Sequence, residues 1–527
     1  MPSSRLVRLT LAAALTTGLA ARASGFYFGD NGASAMVQGG AFTAQADDAL
    51  GMQYNPAGLT QISGFHALAD VNILRHDVTF LRQDSGFDPG NPSALINTVS
   101  SQKAPFLLPY FGAAYGFTLF GRRATVGLGL FAPPSQGRYE YPTPDYTTDA
   151  MGAYTQNPKK YAPQRYALLM TDILIAYPTL SLAYEVHPRV QLGVSAQLTV
   201  SHFKQTQVMY GGDVFCPPGM ACGGEYNPQR QLLENPDYDA IVNIDLPGRV
   251  GATVIGGVMV RPTDWLAVGA SIRPPIPFTA YGPFSVQLPK TFVDAGASVS
   301  GDRAMLQMTL PLELRVGARV TPFTSGALKD RLGINVDFLY QGWDSVKELL
   351  LTPDNVTLSS GSGSTPTPIA PFAVKKNWQP TWSVRVGASF RAHQYVSAHL
   401  GALYETGAAP EATYSVDWTH PSRFIFTGGV TGHLGPVNLI VGALFTPTNT
   451  TIVQNSEVLR GQTNPDIAAG AVGNGIYTSG GWGLITGLRL NLGGAPKSTA
   501  PIEPTPAPVP VPAAPTDSQP AAGASAS

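Results

Sequence analysis

The feature that most restricts this chain is the regular alternation of short and long connections between strand-like segments. Short links fall near Gly121-Arg122, His187-Pro188, residues 262–264, His393-Gln394 and Gly435-Pro436, with a somewhat longer one at 322–330. Long links cover about residues 83–105, 134–165, 204–239, 282–300, 345–378, 406–420 and 447–480. Such alternation puts tight turns at one end of an array of strands and loops at the other. Greek-key sandwiches do not produce it; barrels that span bacterial outer membranes do. The segments between the links alternate in character at every residue. Leu312, Leu314, Val316, Ala318 and Val320 interleave with Glu313, Arg315, Gly317 and Arg319, and Trp382, Val384, Val386, Ala388 and Phe390 with Ser383, Arg385, Gly387, Ser389 and Arg391. A period of two means a strand with two unlike faces. Counting the strands implied by the links gives about 14, an even number, as single-chain bacterial barrels have. The expectation is an all-β fold: a 14-stranded antiparallel transmembrane β-barrel whose ends both lie on the turn side.

Composition agrees. Only 13% of residues are charged, about half the ~25% of soluble proteins, while the hydrophobic share of 44% is ordinary. A chain this long without a charged shell fits a cylinder with an apolar outer band and a polar interior. The net charge of −1 gives no reason to expect nucleic acid as a partner. Residues 1–23 read as a signal peptide: Arg5 and Arg8, an apolar run from Leu9 to Ala20, then Ala21-Arg22-Ala23 as the cleavage site. Export makes a disulfide between Cys216 and Cys222 the default for the loop that holds them, with a reduced thiol pair as the alternative. Aromatic residues near strand ends, Phe120, Trp265, Trp343, Tyr395 and Trp482, are candidates for interface girdles. From about Ala495 the chain turns proline-rich, which predicts a disordered tail over 494–527.

Catalytic patterns are missing. The eight histidines are dispersed without metal-ligand spacing, and neither a nucleophile elbow nor a phosphate loop occurs. Neither a metal nor a cofactor is expected, and the chain does not read as an enzyme. Ser397, His399 and Glu405 share one polar face, which raises lipid hydrolysis as an alternative, but a hydrated lumen network explains them more simply. Glu313, Arg315, Asp337, Arg385, Arg391 and Arg489 likewise read as lumen charges that pair with one another or hold a plug.

The stretch from Ala46 to Leu59, with Asp47-Asp48 and Asn55-Pro56-Ala57, has no helical or strand period yet carries apolar residues that a solvent-exposed loop would not need. It predicts a compact plug inside the barrel. The domain reading is therefore 24–64 as plug, 65–493 as barrel and 494–527 as tail. With Ser24-Gly25-Phe26 this stretch resembles the hatch of the FadL/TodX outer-membrane transporters for hydrophobic compounds. Leu310-Pro311, the run from Asp337 to Asp344 and the paired strands over 384–404 are similar to that family's barrel. The resemblance implies passive uptake, by a monomer in the outer membrane, of long-chain fatty acids or aromatic hydrocarbons. Both chain ends would be periplasmic, and the ligand would leave sideways into membrane lipid. It also implies that Asn55, Pro56 and Ala57 face a kink in the third strand, near 124–131, where Gly127, Gly129, Pro133 and Pro134 are candidates for the break, and that Phe26 helps form an inner pocket. A general porin or structural barrel is the rival reading.

Overall fold

The computed structural model describes residues 30–82, 98–101, 105–133, 138–143, 146–148, 154–156, 162–211, 236–248, 251–361, 363–419, 421–460 and 471–493. Phe26, Pro134, Cys216, Cys222 and the proline-rich tail lie outside these residues. Fourteen strands close into a ring: β1 (Gly64–Arg82), β2 (Phe106–Leu119), β3 (Arg122–Phe131), β4 (Met170–His187), β5 (Val190–Tyr210), β6 (Gly251–Thr263), β7 (Leu266–Arg273), β8 (Glu313–Val320), β9 (Leu332–Gln341), β10 (Thr381–His393), β11 (Val396–Glu405), β12 (Arg423–Leu434), β13 (Val437–Val453) and β14 (Gly475–Leu492). Each pairs antiparallel with the next. The ring shuts where β1 meets β14, with Phe65 opposite Leu492 and Arg82 opposite Gly475. Closure pairs every ring strand on both sides over at least part of its length, as strands need in a medium that cannot hydrogen-bond to them.

The two faces of each strand are inverted relative to a soluble sheet. On β8, Val316 is 51% exposed while Arg315 is 8% exposed, and on β11 Leu400 is 70% exposed. Leu128, Leu180, Val254, Val336, Val384, Phe426, Val441 and Leu484 are exposed in the same way. An apolar outside and a polar inside identify a barrel built for lipid. Phe120, Trp265 and Tyr395 stand exposed at turns, and Trp482 is exposed on β14, as girdle residues should be. Trp343 is not one of them. It is wholly buried, edge-on to Trp378 with ring centroids 5.3 Å apart.

Above the turn end, the long connections are less loop-like than their composition suggests. Strands at Asp239–Pro247, Ile276–Gln287, Arg303–Leu310, Glu348–Asp354 and Phe372–Lys375 pair in that order, starting from the upper part of β5, and form a second tier. Pro274-Pro275 and Pro311 explain the step between tiers. Proline has no N–H for the ladder, so pairing with one neighbour stops there and resumes with another.

Residues 30–62 run inside the ring and are almost entirely buried. They meet the wall on every side: Val37 against β12 and β13, Gly39 against β11, Thr43 against β7 and β8, Met52 against β3, and Pro56 against β5 and β6. What makes room is a girdle of inward-facing glycines. A side chain at Gly193 would begin 2.3 Å from the Pro56 carbonyl carbon, and one at Gly401 would begin 2.1 Å from the Gly39 nitrogen. Gly127, Gly257, Gly269, Gly317, Gly387 and Gly487 stand in comparably tight places.

Candidate functional site

The inner segment is fastened by charges that the barrel supplies. Arg489 on β14 donates from Nε to Asp48 Oδ2 at 2.7 Å, from Nη2 to Asp70 Oδ2 at 3.0 Å and from Nη2 to Ser34 Oγ at 2.8 Å. Asp337 on β9 accepts the backbone N–H groups of Phe42 (2.8 Å) and Thr43 (2.7 Å). Arg385 on β10 pairs with Asp30. Asp30 also accepts the Tyr54 hydroxyl at 2.6 Å, and Arg315 lies over the Tyr54 ring, 4.8 Å from its centre. Burial pushes the Tyr54 hydroxyl far above its ordinary pKa, which keeps it a donor to that carboxylate. Burial opposes the charge on Asp48, yet Arg489 beside it and the Ser34 hydroxyl hold its carboxyl below the ordinary 3.8.

Glu313 accepts from Arg273 at 2.5 Å and lies 3.6 Å from Arg315. Four of the predicted lumen charges, Arg315, Asp337, Arg385 and Arg489, therefore hold the inner segment, and Glu313 supports one of them. Arg391 does neither. It lies on the inward-facing side of β10 but beyond the packed interior, exposed at the turn end, where it donates to the Gln394 carbonyl of its own turn at 3.0 Å. Asp30 and Asp70 went unread in the sequence; the only available signal for Asp70 was an isolated acid on the inward-facing set of β1.

Asn55-Pro56-Ala57 does not lie against the third strand. Asn55 Nδ2 donates to the carbonyls of Thr43 and, on β6, Val258, both at 3.0 Å, and its Oδ1 accepts the Ala57 N–H at 3.2 Å. Pro56 packs into the clearings at Gly193 on β5 and Gly257 on β6. The contacts to β3 come from Leu59, whose carbonyl accepts the Thr125 hydroxyl at 2.9 Å, and from Met52. The triplet is a turn whose direction is set by proline and by the self-capping asparagine.

Among the described residues, pairing beside the third strand is interrupted, but not at its glycines. Gly127 pairs opposite Ala114 and Ser181, and Gly129 opposite Gly112 and Thr179, in unbroken ladders. A glycine retains its N–H, so pairing survives; these two give clearance to Met52 and to the Phe131 ring. The last β3–β4 pair is Phe131 with Tyr177, and pairing resumes at Arg138 with Asp172. Between them, residues 173–176 of β4 have no partner on that edge among the described residues. On the other side, residues 106–110 of β2 pair with β1 alone. Ala132 and Pro133, which follow the last β3–β4 pair, are buried.

An apolar pocket lies against the unpaired stretch of β4. Ile173 and Ile175 line it together with Phe203, Phe278, Met308, Leu310 and Trp418, with Ser201 and His202 as its polar members. A separate polar pocket borders the inner segment and is lined by Asp30, Asn31, Gln53, Arg273, Glu313, Arg315, Arg385 and Glu405. The side chains considered for hydrolysis are dispersed among other partners. Glu405 accepts from Arg423 at 2.9 Å, His399 bonds Thr431 at 2.8 Å and Ser397 bonds His433 at 2.8 Å.

A closed 14-strand ring, oily outside and charged within, with residues 30–62 packed inside it, defines an outer-membrane β-barrel. The family described as "Outer membrane protein transport protein (OMPP1/FadL/TodX)" matches residues 13–457, and the chain belongs to it. It is an outer-membrane transporter of hydrophobic compounds of the FadL/TodX type and not an enzyme. Among solved structures it is similar to a Pseudomonas aeruginosa FadL homologue, at 15% identity and a TM-score of 0.62 over 89% of this chain and 100% of that one. The Ralstonia pickettii toluene transporter TbuX matches at 14% identity and a TM-score of 0.56 over 88% of this chain and 98% of the other. A putative outer membrane protein NMB0088 of Neisseria meningitidis is 30% identical over 115 residues, which is 21% of this chain and 23% of that protein.

Proposed function

We propose that the protein, acting as a monomer, carries neutral apolar compounds passively into the membrane through the side opening between β2 and β4. Residues 30–62, together with the leading residues from 24, act as a hatch that closes the axial route. The turn end and both chain ends face the periplasm. The observation that carries this reading is the position of the apolar pocket: Ile173 and Ile175 belong to the stretch of β4 whose outer edge is unpaired. Once a solute is past the polar surface layer, transfer into hydrocarbon is downhill by about 0.8 kcal/mol per CH₂, so an opening into lipid needs no coupled energy source.

A hydrocarbon fits better than a fatty acid. Among the described residues no Lys or Arg lines the apolar pocket, and cations of the interior already face carboxylates: Lys376 on Asp417, Arg273 on Glu313, Arg385 on Asp30 and Arg423 on Glu405. A fatty-acid head group would have to compete with these.

Proteoliposomes with lipopolysaccharide in the outer leaflet, compared with protein-free vesicles of the same composition, test the route. Radiolabelled toluene should enter faster than oleate through the purified protein, and Ala132→Trp, which narrows the opening, should slow toluene by about tenfold. Planar bilayers holding the wild type should stay nearly silent to ions. A large steady ion current with no gain in toluene entry would identify a porin instead.

A further inference from the structure

The connection between β11 and β12 does not behave as a surface loop. Gly407, Ala408, Ala409 and every residue from Thr413 to Thr419 are buried. The segment starts beside β11 and β12, yet Trp418 lines the apolar pocket with Ile175 of β4 and Phe203 of β5, which stand half-way round a ring of 14 strands. It therefore crosses the lumen above the inner segment. Its anchors include Tyr141 beside β4, Lys376 at the end of the second tier and Gln379 just before β10. The Val416 carbonyl accepts the Tyr141 hydroxyl at 3.2 Å, Thr413 Oγ1 donates to the Lys376 carbonyl at 2.5 Å, and the Ala408 carbonyl accepts the Gln379 N–H at 2.9 Å. At its tip Asp417 forms a buried ion pair with Lys376. The same ammonium lies 4.9 Å from the centre of the Trp418 ring, so one cation fixes both the carboxylate and the indole.

We propose that residues 407–419 form a latched strap over the loop-end side of the apolar pocket, with Lys376–Asp417 as the latch and Trp418 as the pocket wall that the latch positions. This rests on the uptake reading for its purpose. Its structural content stands apart from that reading: a pocket closed from above by a movable piece and open towards the wall at β4. Two properties let the strap move apart from the barrel. Residues 407–409 form β-bridges, but residues 410–419 lie outside every strand, so displacing the tip breaks no pairing between ring strands. Its tip is held by a buried ion pair, and removing one partner strands the other charge in a dry site.

The test uses the full-length protein in detergent, with the neutral fluorescent aromatic 1-N-phenylnaphthylamine as probe. Asp417→Asn should raise hydrogen–deuterium exchange across 407–419 by about tenfold while peptides from β10, β11 and β12 stay protected. It should also speed probe binding several-fold. Trp418→Ala keeps the ion pair, so exchange at 407–412 should stay near wild type while probe affinity falls about tenfold. Unchanged exchange in Asp417→Asn overturns the latch. Faster exchange with unchanged probe kinetics overturns the strap as a cover, and unaltered affinity in Trp418→Ala overturns the wall. Loss of protection throughout the barrel in Asp417→Asn overturns the strap as an independent element. Absence of toluene uptake by wild-type proteoliposomes would instead defeat the transport reading and leave these binding and exchange results intact.

Discussion

A single hydrogen atom in place of a side chain decides whether the inner segment can sit where it does. At Gly193 a Cβ would fall 2.3 Å from the Pro56 carbonyl carbon and 2.4 Å from the Ala57 nitrogen, and neither backbone atom can swing aside as a side-chain tip would. Gly193→Val should therefore leave the barrel ladder intact but lift residues 55–58 from the wall, at an overpacking cost of about 1–3 kcal/mol. The expected result is a new ion leak in planar bilayers with normal heat-modifiable migration; a silent bilayer would mean that the segment adjusts without opening a path. These glycines show where reading from sequence stops. Gly317, Gly387 and Gly487 are visible on the polar side of their strands, but a missing side chain carries no record of what approaches it. The same limit applies to Asn55-Pro56-Ala57. Its turn geometry follows from local chemistry, whereas its partners β5 and β6 lie more than a hundred residues away in sequence.

At the level of elements, the ring strands were legible because each contains its own signal: a period of two, bounded by turn residues. The second tier was not. Several of its strands are short, and some pair across intervening ring strands, as Arg303–Leu310 does with Glu348–Asp354, so no local signal announces them. The fastening of the inner segment to β14 and β1 gives two predictions. Arg489→Ala leaves Asp48 and Asp70 buried without their cation, a change that typically costs about 3–5 kcal/mol. Exchange protection should collapse over residues 30–62 and persist in β1 and β14. Acid acts through the same contact with a definite sign. Since the carboxyl of Asp48 titrates below its ordinary 3.8, its contribution is complete above that value and is lost as pH falls through the lower one. Amide-exchange protection of the segment, corrected for the intrinsic pH dependence of exchange, should be flat from about pH 7 to pH 5 and fall below about pH 4.

For the whole molecule, the inversion of faces matters more than any site. The outward set runs through Val316, Leu400 and Val441, each more than half exposed. Val441→Arg should hinder insertion by about 2–4 kcal/mol if it lies near the bilayer midplane, measurable as lowered folding efficiency into lipid vesicles; an unaffected yield would place β13 outside the apolar band. Strand length also has a consequence for what the protein meets first. β5 has 21 residues, which at roughly 3.3 Å each and a tilt near 40° amounts to about 50 Å of height, against an apolar band of about 25 Å. The surplus stands as a rigid collar at the loop end. In the proposed orientation that end faces outward, and a dissolved apolar solute would then touch protein before it touched the sugar coat of the cell, which would cease to be the barrier it must cross.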